Sequence, residues 1–583
     1  MNIASAILGR NQRFPFSVIL IIGWLVVIGL AEWFYAVAET EPPEWDVLSY
    51  AAKAFYFWDA INHGKFLGLL DLPPTIRPPG TVMMSYPLGF SVSFGAFYFR
   101  SVFIPLCLVV CAIYIAGYLR ELTPMAKWLL ATLAITIGGM PILFQFQGND
   151  EIPNAVTWGL VDNFLAGMAA VAIASARRSV SSLSPWWAIV GILAAAFCLL
   201  IKPAGALVMV LVAASSMLLI LFRAHWSPAR LWQEIELRRL CVVWLIGTTV
   251  IYGLVIVAAL TSQYLGATNL ASGAAALAVL QQDFAMSIDI NTLLLLLHLS
   301  FGYPIALLVG LGLVAGIAFR GERGAAAAAL LCLMAGIWFW VVATEISQVR
   351  YFLPFGVMTF IIVVPSLLRM MQYLPAWLKV GSVAALSAPT VAITLLLLIP
   401  QPPVKWQQYL GINLSSRVYR AENEQALALL NKLQNERARS ASIFFAELWS
   451  PSRSFGAVLS YWTFVNSALP RISGHRPVSW EGATTFRLSD IAAADYIVFG
   501  PIDDATQVRS ILESRMVADL GAEYLLMKAW FSSLTPNDGV EIVSETRVRL
   551  LRIADRDRFQ HSIEKLRQSH DWRSEFRAAN PSP

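Results

Sequence analysis

The side chains of this chain that could do chemistry sit in short polar clusters between long apolar runs. The first cluster opens Glu41-Pro42-Pro43-Glu44-Trp45-Asp46, and Ser49, Tyr50 and Lys53 follow Asp46 at helical spacing. They share one stripe of a helix running to about Asn62. Asp46 has two readings: a base that takes a proton from a nearby hydroxyl, or an N-cap accepting backbone N–H bonds just after Pro43. Helix breakers then crowd Leu72-Pro73-Pro74-Thr75-Ile76-Arg77-Pro78-Pro79-Gly80 and hold Arg77 on a stiff loop. A guanidinium presented this way suits a pair of phosphate oxygens, although a lone loop arginine is commonly just solvated.

Further acids occur in Asn149-Asp150-Glu151 and at Asp162, which begins an apolar helix. Together with Asp46, Asp162 could hold a divalent cation or share acid–base work. Lys202-Pro203 interrupts the apolar stretch from Trp186 to Phe222 and puts an ammonium at a helix end, with a snorkelling lysine as the plain alternative. Last, Glu345 and Arg350, followed by Tyr351 and Pro354, are packed into a short turn between two apolar runs, where the two charges could simply pair.

These clusters must be positioned by a membrane-embedded scaffold. Of the 583 residues 57% are hydrophobic and only 14% charged, with a mean hydropathy of +0.62, far from a water-soluble composition. A net charge of +5 over this length gives no reason to expect a nucleic-acid partner. The five cysteines lie in apolar runs, where thiols pack as small hydrophobes, and His475, His561 and His570 are too scattered for a metal or triad motif.

The length criterion gives about 11 spans, at about 14–38, 101–119, 125–143, 160–176, 185–201, 204–222, 241–261, 292–319, 324–343, 352–368 and 380–400. Arg10 and Arg13 precede the first, which reads as an uncleaved signal anchor, although Ala36-Val37-Ala38 resembles a cleavage site. With a cytoplasmic N-terminus, Arg120, Lys127, Arg177, Arg178, Arg223, Arg230, Arg238, Arg239, Arg320, Arg323, Arg369 and Lys379 all fall inside, as the positive-inside rule requires. The segments 39–100, 145–158 and 262–290 and everything after 402 then lie outside. Residues 81–99 are expected to run along the interface before the second span.

The fold class expected is therefore mainly α: a transmembrane domain over residues 1–400 with a first outer loop at 39–100, and a soluble α/β domain over 401–583. In the latter, helices are expected at 422–439, 505–514 and 555–568. Strands are expected at 442–446, 496–499, 522–527, 541–543 and 547–553.

The order of elements over the first 400 residues resembles the GT-C superfamily of integral-membrane glycosyltransferases, especially the branch of protein mannosyltransferases and lipid A aminoarabinose transferases. The residues carrying the likeness are Asp46 with Tyr50, Ala51, Ala52 and Gly64; Arg77-Pro78-Pro79; Asp162 at the start of the fourth span; Lys202-Pro203; and Arg350-Tyr351 with Pro354. Val47 stands where many members have a second acid, and 148–158 has the character of an insertion.

The resemblance implies transfer of a sugar, with inversion, from a polyprenyl phosphate donor to a lipid, glycan or protein hydroxyl at the periplasmic face of a bacterial inner membrane. Asp46 and Asp162 would be the catalytic acids. Tyr50, Arg77, Lys202, Glu345, Arg350 and Tyr351 would be the substrate-binding groups, with a divalent cation left open. Rival readings are a polysaccharide polymerase or ligase outside this superfamily, a lipid-linked sugar flippase, and a scaffold with a degenerate enzyme-like body. The first would centre on a late loop rich in Arg and His, whereas 262–290 has neither. The second needs a polar path through the spans.

Overall fold

The computed structural model describes residues 16–38, 80, 94–117, 126–134, 146–147, 155–156, 161–261, 305–343, 351–399, 428–429, 431–433, 435, 440–445, 471–475, 488–499, 521–545 and 549–569. Asp46, Tyr50, Arg77, Glu345 and Arg350 lie outside the described residues. The chain forms two compact units.

The first unit is helical. α1 is Phe16–Ala38, α2 Phe94–Gly117, α3 Val161–Ser182, α4 Pro185–Ile201 and α5 Gly205–Arg223. After a short α6, Pro228–Gln233, α7 (Ile235–Gly247) continues through a π turn into α8 (Gly253–Thr261). α9 is Ile305–Ala318, followed by α10 (Arg323–Ala343), α11 (Leu353–Gln372) and α12 (Ala376–Leu398).

Among the described residues five helices are long and apolar enough to cross a membrane: 99–117, 205–223, 235–258, 320–339 and 353–372. The outer helices turn apolar side chains away from the protein, such as Ile22 and Leu30 on α1, Leu254 on α8 and Val314 on α9. Such a surface is stable against hydrocarbon, not water. α2 begins ahead of the expected position 101 and takes in Arg100, which is 5% exposed. The aromatic run before Arg100 holds no helix breaker, and Phe99 packs on Phe103 at 5.1 Å and on Trp33 at 5.3 Å between ring centroids.

α3 and α11 form the centre. α3 is lined with buried small residues, including Ala166, Ala169, Ala170, Ala172, Ser175 and Ala176. These allow the close backbone approach that drives helix association where lipid and side chains are equally apolar. α11 is buried from Leu353 to Leu368.

The second unit holds a five-stranded mixed sheet. Its strands are β1 Ser440–Phe445, β2 Arg471–His475, β3 Tyr496–Phe499, β4 Val540–Glu545 and β5 Arg549–Ile553, in the order β2-β1-β3-β5-β4. β1 pairs parallel with β2 and β3, while β5 pairs antiparallel with β3 and β4. Helices α13 Leu488–Ala493, α14 Gly521–Ser533 and α15 Arg556–Ser569 are among those that accompany it.

The expectation of a strand at 522–527 is overturned, because those residues are in α14. A short apolar run does not distinguish the two states by itself. Here Met527, Lys528 and Phe531 are all buried while Ala529 is exposed, the spacing of one helix face, whereas alternation along a strand would put 527, 529 and 531 on one side and 528 on the other.

Candidate active site

The site is built where the sequence forces α4 to stop. Proline disfavours helical backbone in the residue before it, and Lys202 accordingly has φ −155° and ψ 146° while its N–H still closes on Cys198 O at 3.1 Å. The chain reverses over Lys202-Pro203-Ala204, and Gly205 N donates to Lys202 O at 2.8 Å as α5 begins. A Cβ on Gly205 would stand 2.1 Å from Cys198 O, so only glycine lets α5 start so close to the end of α4. The turn thus fixes the root of the Lys202 side chain.

That side chain does not snorkel away from the protein. Lys202 Nζ reaches Asp162 Oδ1 at 2.6 Å, with the lysine side chain 17% exposed and the aspartate 3%. Asp162 stands in the first turn of α3, where a negative charge is favoured by the helix dipole, and Lys202 caps the C-terminal end of α4, where a positive one is. The same ammonium lies over the ring of Tyr351, 4.1 Å from its centroid, within cation–π range. Tyr351 lies two residues before α11 and is also in edge contact with Phe339 of α10, at 6.4 Å.

Gly80, which closes the proline-rich run containing Arg77, comes to the same place. A Cβ there would lie 2.7 Å from Leu200 O and 2.9 Å from Ile201 Cγ1. The backbone at Gly80 therefore rests directly on the last residues of α4.

Three of the residues selected from sequence, Asp162, Lys202 and Tyr351, meet at one end of the bundle, and Gly80, three residues beyond a fourth, Arg77, packs on the end of α4 just before Lys202. α3, α5 and α11 all begin at this end, so their positive dipole ends face it. An ammonium has three donors, so the bond to Asp162 leaves Lys202 able to donate to an anion.

The donor set for a metal is poor: no group of three His, Cys, Asp or Glu side chains forms among the described residues, and Asp162 is engaged by an ammonium. The sequence reading overlooked Gly80, whose only signal was its place after two prolines. It also overlooked Glu32 on α1, which is wholly buried with neither carboxyl oxygen hydrogen-bonded.

No family model and no curated protein matches the chain. Among solved structures, the chain is similar to the crystal structure of ArnT from Cupriavidus metallidurans in the apo state. That similarity covers 91% of this chain and 97% of the other at 13% identity, with a TM-score of 0.48.

Proposed function

We propose that this protein is a membrane glycosyltransferase that moves a sugar from a polyprenyl phosphate donor to an acceptor hydroxyl at the outer face of the bacterial inner membrane. The observation that carries the reading is the convergence of Asp162, Lys202 and Tyr351, with Gly80 against the same turn, at the end where three helices present their N-termini. A cation and three helix dipoles gathered at one membrane boundary favour an anionic group there, and a polyprenyl phosphate is anionic at its headgroup and anchored in the lipid at that depth.

In this reading Lys202 stabilises the charge that builds on the phosphate as the anomeric bond breaks, a role commonly larger than proton transfer. Asp162 holds the ammonium in place, and Tyr351 covers it. Asp46 is the base: its carboxylate takes the proton of the attacking hydroxyl while that oxygen bonds to the anomeric carbon, which gives inversion. Arg77 and Arg350 supply further positive charge to the phosphate. Tyr50 and Glu345 contact the sugar or its acceptor.

The test is transfer of a labelled sugar from polyprenyl phosphate in liposomes holding the full-length chain. Asp46→Asn is expected to fold and to transfer at least a hundredfold more slowly, a loss typical of a missing general base. A folded Asp46→Asn protein working at the wild-type rate would remove Asp46 from the mechanism.

A further inference from the structure

The opposite end of the bundle holds a second polar centre. Arg177 lies fifteen residues beyond Asp162 on α3, about 22 Å further along the axis at the helical rise. Around it the ends of α3, α5, α10 and α11 enclose a cavity of about 1190 Å³, lined by Arg177, Arg178, Arg223, Arg320, Arg323 and Arg369.

Glu322 is the one carboxylate among the described residues lining it, and both of its oxygens are engaged. Arg177 Nη2 donates to Oε2, Arg369 Nη1 lies 2.7 Å from Oε1, and Ser366 Oγ donates to Oε2 at 3.3 Å. One carboxylate between two guanidinia leaves a positive excess. Arg223 and Arg323 add to it, since the acceptors they reach are carbonyls: Val180 O and Ser181 O for Arg223, and Ile317 O for Arg323. Arg177 is 8% exposed, and its Nε has no hydrogen-bond partner among the described residues. A buried donor left without an acceptor is costly unless a ligand or ion supplies one.

Basic residues at this end also serve membrane orientation, and that alone would explain their sign. Orientation does not require them to surround a concavity or to bury a donor in its wall. Nor does it require the apolar part of the lining, where Leu219, Phe222 and Trp226 stand beside the arginines, with Trp226 58% exposed. His225 and Trp226 also line the cavity and hold φ of 53° and 58°, a left-handed conformation rare for such side chains.

We infer that this cavity binds the phosphate headgroup of an anionic phospholipid. Guanidinium forks match phosphate oxygens in pairs. The volume exceeds what a lone phosphate fills, and the aromatic and aliphatic side of the lining accommodates the glycerol and the first methylenes. Basic pockets between helix ends on the cytoplasmic side are suited to such headgroups, and the distribution of arginine along the chain puts this end inside. The inference is independent of the sugar-transfer reading.

The experiment uses the purified full-length chain in phosphatidylcholine nanodiscs, with and without phosphatidylglycerol, reading thermal stability and the lipid retained in native mass spectra. Wild type is expected to retain phosphatidylglycerol and to melt higher with it. The triple variant Arg223→Gln/Arg320→Gln/Arg323→Gln is expected to melt like wild type in phosphatidylcholine and to bind phosphatidylglycerol about a hundredfold more weakly, from the worth of three basic residues at an anionic surface. Arg238→Gln/Arg239→Gln, at the same end but outside the lining, is expected to bind as wild type does.

Should the glutamine variant misfold, replacing the same three arginines by lysine keeps every charge and removes the planar forks; at least several-fold weaker binding is then expected. Unchanged binding in the variant that folds, an equal loss on replacing Arg238 and Arg239, or equal stabilisation by inorganic phosphate would each overturn the inference. The last would point to a soluble phosphate in place of a lipid.

Discussion

Removing the ammonium of Lys202 is the most informative perturbation of the candidate site. In Lys202→Met the carboxylate of Asp162, whose side chain is 3% exposed, loses its counter-ion while staying out of water. Breaking a buried pair from one side costs about 3–5 kcal/mol, or about two to three and a half powers of ten in the folding equilibrium. Loss of the contact with Tyr351 adds roughly 0.5–2 kcal/mol.

Asp162→Asn is expected to cost less than Lys202→Met, because the stranded lysine is 17% exposed and retains the tyrosine ring. The double variant Asp162→Asn/Lys202→Met buries no unpaired charge and is expected to recover most of the stability, so the two changes should be strongly non-additive. Unfolding of the four proteins in detergent, followed by thermal melting, gives the coupling. Sugar transfer by the same set in liposomes separates structure from chemistry. A double variant that is stable but inactive is the expected outcome. Additive losses would refute the paired geometry, and a stable double variant with wild-type transfer would refute the role of Lys202 toward the phosphate.

Gly205→Ala is expected to lower the melting temperature sharply and to weaken transfer with it, since its Cβ would stand 2.1 Å from Cys198 O and force the Lys202 turn open; thermal melting and the liposome assay read both. In the second unit, the backbone N–H of Thr535 holds the Asp538 carboxyl below its ordinary 3.8; burial opposes this as the second-largest influence, and the Thr535 and Ser562 hydroxyls and Lys565 lower it further. A depressed folded value means that the stabilisation is fully present above the unfolded value and is lost as pH falls through the lowered one. Protection against hydrogen exchange, taken relative to the intrinsic rate at each pH, should therefore fall for residues 535–545 and 549–566 of the full chain as pH drops below about 4, near the ordinary value for an aspartate. Asp538→Asn should lack that dependence.

The sequence by itself determined the elements and their local ends. Apolar runs of helical length specify α5, α10 and α11 because in lipid the backbone must satisfy its own hydrogen bonds, and Pro203 stops α4 and sets the backbone of Lys202 whatever surrounds it. It also placed Asp162 at a helix start. Tertiary structure decided what these groups do to each other. Asp162 and Lys202 were read as separate agents, yet they form one pair, because the distance between the start of α3 and the end of α4 is a property of packing. Tyr351 reaches Lys202, and Gly80 the end of α4 beside it, from distant parts of the chain for the same reason.

Residues 522–527 became helix, not strand, because burial against the sheet chose between two periods that a six-residue run with five apolar side chains leaves open. The arginines of the loops between the apolar runs were legible as charges, since hydropathy and sign are properties of single residues. That Arg177 and Arg369 turn inward onto Glu322 and leave a cationic cavity beside them was not, since enclosure depends on how helices α3, α10 and α11 lie side by side.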